Sequence, residues 1–290
     1  MSKKVALVLS SGGARGMAHI GVIEQLLERG YTISSIAGSS IGAVVGGIFA
    51  QGGLPRFKKW VCGLDRLDVF RLMDFTLSSQ GFVKGDRVFQ EMREFAWDQK
   101  IEELPIPFVA VATDMAQNKE VIFRKGSLFD ALRASIALPS VVQPYRINGW
   151  DLVDGGVINP LPIEHVKRNE EDLLVVVNLN ARIPKTIVHP NQDETVSEGL
   201  LQQWKRKWGR EVSVTKEAKA RLGYFEMISK SFEIAQIRLC SMTIEKYQPD
   251  LVVSVSRKEA STFDFYRSDE LIEVGRKAFE KAYHEKYEYF

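Results

Sequence analysis

The sequence predicts an α/β protein, built on a mostly parallel central sheet with helices on both faces. Three observations carry this. Val5-Ala-Leu-Val-Leu9 is a short, unbroken apolar run, the pattern of a strand buried on both of its faces. A glycine-rich loop and then apolar residues at helical spacing follow it directly. The same order of strand, small-residue turn and helix recurs from Thr32 to Gln51.

The remaining elements follow in chain order. Met17 to Arg29 sets Ile20, Ile23, Leu26 and Leu27 at helical spacing, and Gly30 ends that helix as a C-terminal glycine does. Thr32 to Ala37 is a second strand, leading through Gly38-Ser-Ser-Ile-Gly42 into a small-residue helix from Ala43 to Gln51. Residues 54–105 read as helical and irregular, with one helix from Gly85-Asp-Arg87 to about Asp98. Pro107 to Thr113 and Glu120 to Phe123 are strands, and Phe129 to Leu138 is a helix stopped by Pro139. Tyr145 to Val153 carries Asn148-Gly149 between two strand-like arms, the signal of a hairpin with a type I′ turn. Leu173 to Leu179 is another buried strand. Residues 182–247 then interrupt the sheet with a polar loop, a basic stretch and a helix from Phe225 to Tyr247. Leu251 to Val255 resumes the sheet and Ser268 to Lys286 closes the chain, so 1–290 reads as one domain with 182–247 a helical insertion or lid.

With 45% hydrophobic and 26% charged residues, the chain has the make-up of a soluble globular protein with a full core. A net charge of +2 argues against a dedicated nucleic-acid binder. Cys62 and Cys240 are too few for a disulfide framework, which points to a cytoplasmic chain with reduced thiols. The apolar run from Ile41 to Ala50 is far shorter than a membrane span.

Two segments suggest chemistry by themselves. Gly38-Ser39-Ser40-Ile41-Gly42 has the G-x-S-x-G form, a tight strand-to-helix turn that holds a serine oxygen out for attack. The glycines select Ser40, because Ser39 would be flanked by Ala37 and Ile41. The helix that follows aims its N-terminal N–H groups at the site, and that of Ile41 can stabilise an oxyanion. Ser11-Gly12-Gly13-Ala14-Arg15-Gly16 opens the first helix and suits an anion, either a dinucleotide pyrophosphate or an acyl-transfer oxyanion. A dinucleotide site expects an acidic residue about 20 positions on. Ile33 to Ser40 holds none, which favours the oxyanion.

A serine nucleophile needs a base. None of His19, His165, His189 and His284 sits in a recognisable motif, although His165 is near Asp154 in sequence. Attention turns to a carboxylate. Asp154-Gly155-Gly156 ends the hairpin's return strand, where an aspartate can simply cap a turn, or act as a base if burial raises its basicity. No His, Cys and Asp cluster has metal-ligand spacing, and no cofactor is called for.

Taken together and in this order, the glycine loop, the G-x-S-x-G turn and the Asp-Gly-Gly turn resemble the patatin-like phospholipase family. The resemblance covers about residues 5–180, takes in Ala112-Thr-Asp114 and Arg133-Ala-Ser-Ile-Ala-Leu-Pro139, and is closest to small bacterial members related to neuropathy-target-esterase-like proteins. It implies a three-layer α/β/α fold and hydrolysis of lipid or fatty-acyl esters by a Ser–Asp pair. Ser40 would be the nucleophile and Asp154 the proton acceptor. Gly12, Gly13 and Ala14 would give oxyanion N–H groups, and Arg15 would hold the loop or meet a phosphate. Ser11 stands where the family has a glycine. An acyltransferase on the same site, or a non-catalytic signalling protein of the same fold, are the alternatives.

The basic stretch holds Trp204-Lys-Arg-Lys-Trp208, two aromatics on one helical face with cations between them. This suits peripheral contact with a membrane surface, but packing of both tryptophans onto the core is the favoured reading, since aromatic pairs at helical spacing are usually core.

Overall fold

The computed structural model describes residues 4–74, 83–139, 141–147, 149–186 and 224–287. Trp204, Trp208 and most of the expected insertion therefore lie outside the described residues.

Five parallel strands form the body of the sheet: β1 (Lys4–Leu9), β2 (Thr32–Ser39), β3 (Phe108–Asp114), β7 (Leu173–Ala181) and β8 (Leu251–Ser256). Their order is β3-β2-β1-β7-β8, and their apolar runs are buried, as a two-sided strand requires. Three antiparallel strands extend the β3 end: β4 (Lys119–Phe123) and the hairpin β5 (Tyr145–Ile147) and β6 (Trp150–Asp154). Ile147 pairs with Trp150, which leaves a two-residue loop, and Gly149 takes a φ of +81° there. Both are what a type I′ turn needs.

The helices cover the two faces unequally. Alternate residues of β1 point opposite ways: Val5, Leu7 and Leu9 join one large core, whereas Val8 joins a smaller one. The large core is closed by α1 (Met17–Glu28), α2 (Ile41–Gln51), α3 (Leu54–Cys62), α5 (Asp86–Met92), α6 (Leu128–Ser135) and α8 (Ser268–Tyr287), with α4 (Arg66–Leu72) following α3. The small core packs Val8, Leu174 and Val176 against Leu161, Ile163 and Cys240, the last on α7 (Tyr224–Tyr247).

Two helices end earlier than the sequence suggests, and each for a tertiary reason. The helix expected to reach Asp98 stops at Met92. Downstream, the Gln51 side chain takes both backbone groups of Trp97, donating to its carbonyl at 2.6 Å and accepting from its N–H at 3.2 Å. The helix expected to reach Leu138 stops at Ser135, and the freed Ala137 carbonyl accepts from the Asp154 N–H at 3.0 Å.

Helices α1 and α8 touch backbone to backbone. A β-carbon on Gly21 would stand 2.0 Å from the Ile272 carbonyl oxygen, and one on Gly275 would stand 2.0 Å from that of Ala18. Only glycine fits at either position without driving the helices apart. Gly275→Ala should therefore lower stability by roughly 1–3 kcal/mol, read as a fall in Tm, whereas alanine at exposed Lys277 on the same helix should leave it nearly unchanged.

Candidate active site

β2 delivers its last residue into a sharp turn. Ser40 takes φ +55° and ψ −126° between Ser39 and the first residue of α2, a backbone state that a non-glycine residue holds only when its surroundings impose it. The restraints are visible. Its N–H donates to Ser135 Oγ at 2.8 Å, and Ser135 Oγ in turn donates to the Val111 carbonyl at 2.7 Å. Its carbonyl accepts from Ala43 and Val44 N–H at 2.9 and 3.2 Å. The flanking glycines answer to steric need: a β-carbon on Gly38 would lie 2.5 Å from Ala43 N, and one on Gly42 would lie 2.2 Å from the Leu9 carbonyl oxygen. Ser39 is fully buried and its hydroxyl has no partner among the described residues, whereas Ser40 lines a cavity.

Asp154 arrives from the opposite direction. Along β3, residues 110–114 pair with β4 on one edge, so β2 and β6 share the other. There β2 ends with Ser39 opposite Val111, and antiparallel β6 ends with Asp154 opposite Ala112. The two chain ends meet head to head, and Ser40 Oγ donates to Asp154 Oδ2 at 2.5 Å. The other carboxylate oxygen accepts from the Gly156 N–H at 2.7 Å, and Thr113 Oγ1 donates to the Asp154 carbonyl at 3.0 Å. Burial pushes the Asp154 carboxyl up to about 6, against the pull of the bonds from Ser40 and Gly156.

The histidines stand elsewhere. His19 is fully buried with Nε2 against the Ser10 carbonyl at 2.9 Å, and burial lowers it to about 4, so it is neutral and donates that bond. His165 Nε2 lies 2.8 Å from Glu120, and with Glu164 these groups offer three ligand atoms within 4.8 Å of one another. Sequence spacing gave no sign of that trio, because Glu120 comes from β4, far along the chain from the 3-10 turn that holds Glu164 and His165. His284 lies on α8, and His189 is outside the described residues.

The glycine loop after β1 tightens into a 3-10 turn over Gly13–Gly16. The N–H groups of Gly12 and Gly13 meet no carbonyl among the described residues, and both residues line the same cavity as Ser40, as does Ile41. Ala14 corrects the expectation that it too would face the reaction: its N–H donates to the Thr262 carbonyl at 2.9 Å and is taken. Arg15 is buried, donates to the Ala260 carbonyl at 2.7 Å, and is lowered to about 10 by burial and by Arg257. It ties the loop to the segment after β8.

The cavity has a volume of about 550 Å³ and leads away from Ser40 between apolar walls that include Val44, Trp60, Leu72, Met92, Ile136 and Phe232. Several of its supports escaped sequence reasoning. Ser135 lay in a segment noted as a helix and for its resemblance, with no role given to the serine itself, and Gln236, Asn180 and Arg257 carry no motif at all. Among the described residues, no helix is long and apolar enough to cross a membrane.

With this geometry in hand, comparison with known proteins is informative. Residues 7–167, more than half of the chain, match the family model described as patatin-like phospholipase. An uncharacterized NTE family protein of Mycobacterium tuberculosis is 36% identical over an alignment of 323 positions, covering 95% of this chain and 90% of the relative. Patatin-like phospholipase domain-containing protein 7 of Mus musculus is 28% identical, covering 93% of this chain and 20% of that protein. Among solved structures, VipD from Legionella pneumophila aligns with a TM-score of 0.49 at 14% identity, covering 98% of this chain and 67% of that one.

The buried carboxylate has a thermodynamic consequence. An unfolded aspartate titrates near 3.9, so the folded state, with Asp154 near 6, holds this proton more tightly and loses stability as pH rises between those values. Asp154→Asn removes the penalty. In urea titrations the variant should match the wild type at pH 4 and exceed it at pH 7 by up to about 3 kcal/mol.

Proposed function

The chain belongs to the patatin-like phospholipase family, and on that premise we propose that it hydrolyses lipid carboxyl esters through an acyl-enzyme on Ser40, with Asp154 as proton acceptor. The observation that carries this reading is the 2.5 Å hydrogen bond from Ser40 Oγ to a buried carboxylate at the head of an apolar cavity.

Ser40 Oγ attacks the ester carbonyl as its proton passes to Asp154 Oδ2. The negative charge that develops on the carbonyl oxygen is met by the N–H groups of Gly12 and Gly13 and by that of Ile41 at the start of α2. Collapse of the tetrahedral intermediate breaks the ester C–O bond, and the leaving alcohol takes the proton from Asp154. Water then attacks the acyl-serine, again giving a proton to Asp154. The fatty acid leaves, and the proton returns to Ser40. An aspartate at its ordinary acidity would be a weak base for this. Raised to about 6, it is ionised at neutral pH yet far closer in basicity to what proton transfer from a hydroxyl demands. The apolar walls support a fatty-acyl chain as the bound group, placed by dispersion and exclusion of water.

Ser40→Ala should reduce turnover of p-nitrophenyl esters by at least about a thousandfold and abolish labelling by a fluorophosphonate. Retained turnover in that variant would sink the assignment. The wild-type rate should rise with pH through about 6, where Asp154 loses its proton, and then level off. A rate that is flat from pH 5 to 8 would exclude Asp154 as the base.

A further inference from the structure

We infer that Gln236, on the helix that ends the expected insertion, is a positioning residue that holds the oxyanion loop and the Asp154 turn in register with one another. The inference rests on the hydrolase reading and adds to it a residue from the half of the chain where the family pattern fades.

Glu233, Gln236 and Cys240 fall at i, i+3 and i+7 of α7, on the face turned toward the sheet. The Gln236 side chain is buried, and its Nε2 donates to two acceptors at 3.2 Å each: the Gly156 carbonyl and Ser11 Oγ. A carbonyl can only accept, so the amide must turn its NH2 group inward, and that group has two protons, one for each partner. Gly156 is thus held at both ends, its N–H on Asp154 Oδ1 at 2.7 Å and its carbonyl on Gln236. Ser11, immediately before Gly12, is held at its hydroxyl by Gln236 and at its carbonyl by Asn180 Nδ2 at 3.0 Å. The serine that replaces a family glycine here is what gives the amide its second acceptor.

The helix cannot slide out of this arrangement easily. Glu233 pairs with Arg257 at 3.2 Å, Arg257 donates to Asn180 Oδ1 at 2.7 Å, and Asn180 also reaches Cys240 Sγ at 3.7 Å. One side chain therefore joins the loop that would receive the oxyanion to the turn that carries the base. Loss of its N–H groups frees Gly156, weakens the bond that draws the Asp154 carboxyl downward, and lets the loop drift from the reacting carbonyl. The other charged groups on the cavity, Arg15, Arg133, Glu233 and Arg257, are untouched by the change.

The test uses the full chain with p-nitrophenyl butyrate as probe. Gln236→Met keeps length and volume but removes both donors, and Gln236→Ala removes the side chain. Both should lower kcat about ten- to a hundredfold with KM within about threefold, the range expected when catalytic groups are displaced by less than about 1 Å. Both should also move the acidic limb of the rate profile to higher pH by about half a pH unit or more. A Gln236→Met enzyme with wild-type kcat and an unmoved limb would overturn the inference, since packing alone would then explain the residue. A fall in Tm with an unmoved limb would do the same. Wild type and Ser40→Ala run alongside separate the two readings: if wild type neither turns over nor labels with fluorophosphonate, the hydrolase reading fails and this inference goes with it.

Discussion

On one edge of β3, a parallel strand and an antiparallel strand stop against each other, β2 at Ser39 opposite Val111 and β6 at Asp154 opposite Ala112. No loop brings Ser40 to Asp154. Backbone ladders do, and a ladder tolerates far less displacement than a loop. The hydroxyl and the carboxylate therefore meet at 2.5 Å as a consequence of register. A one-residue slip of either strand would turn one of the two groups to the opposite face of the sheet.

That meeting is unfavourable in two respects, and the surroundings offset both. Ser40 occupies a positive φ, which its N–H bond to Ser135 and the bonds from Ala43 and Val44 restrain. Asp154 is a carboxylate taken out of water, with a hydroxyl and one peptide N–H as its hydrogen-bond donors and, among the described residues, no cation in hydrogen-bonding contact. An arginine on that carboxylate would stabilise the fold, and would also hold its proton affinity too low for it to act as a base. Arg15 and Arg257 lie on the same cavity but direct their hydrogen bonds to carbonyls, to Asn180 and to Glu233. Stability is given up at the carboxylate whose basicity burial raises.

The parts legible in the sequence were those whose signal is local. A strand buried on both faces carries a near-continuous apolar run, so β1, β3 and β7 declared themselves, and the tight turns around Ser40 and Gly12 needed glycine where glycine stands. Asp154 was visible only by the want of a placed histidine and by resemblance. Nothing in its neighbourhood says that β6 will run antiparallel and stop against β2, because register across 114 residues of separation is not written locally. Gln236 and Ser135 were illegible for the same reason. A polar residue on a helix becomes a partner only when tertiary packing supplies an acceptor. Gln51 shows the same logic in a negative sense, since its capture of the Trp97 backbone keeps this segment out of the helix that the local pattern extends to Asp98.

The glycine contact between α1 and α8 bears on how the molecule comes into being. β1 is made before either of its neighbours, yet it lies between β2 and β7, and α1, which follows it, closes against Gly275 far along the chain. A sheet with such distant pairings forms slowly, since long loops must close before any contact rewards them. The Ser40 turn is made well before α7 and α8, which complete its cavity and its core. Until those helices dock, the turn and the apolar cleft beside it lack part of their walls, so a closed cavity and full burial of the core should be gained together and late.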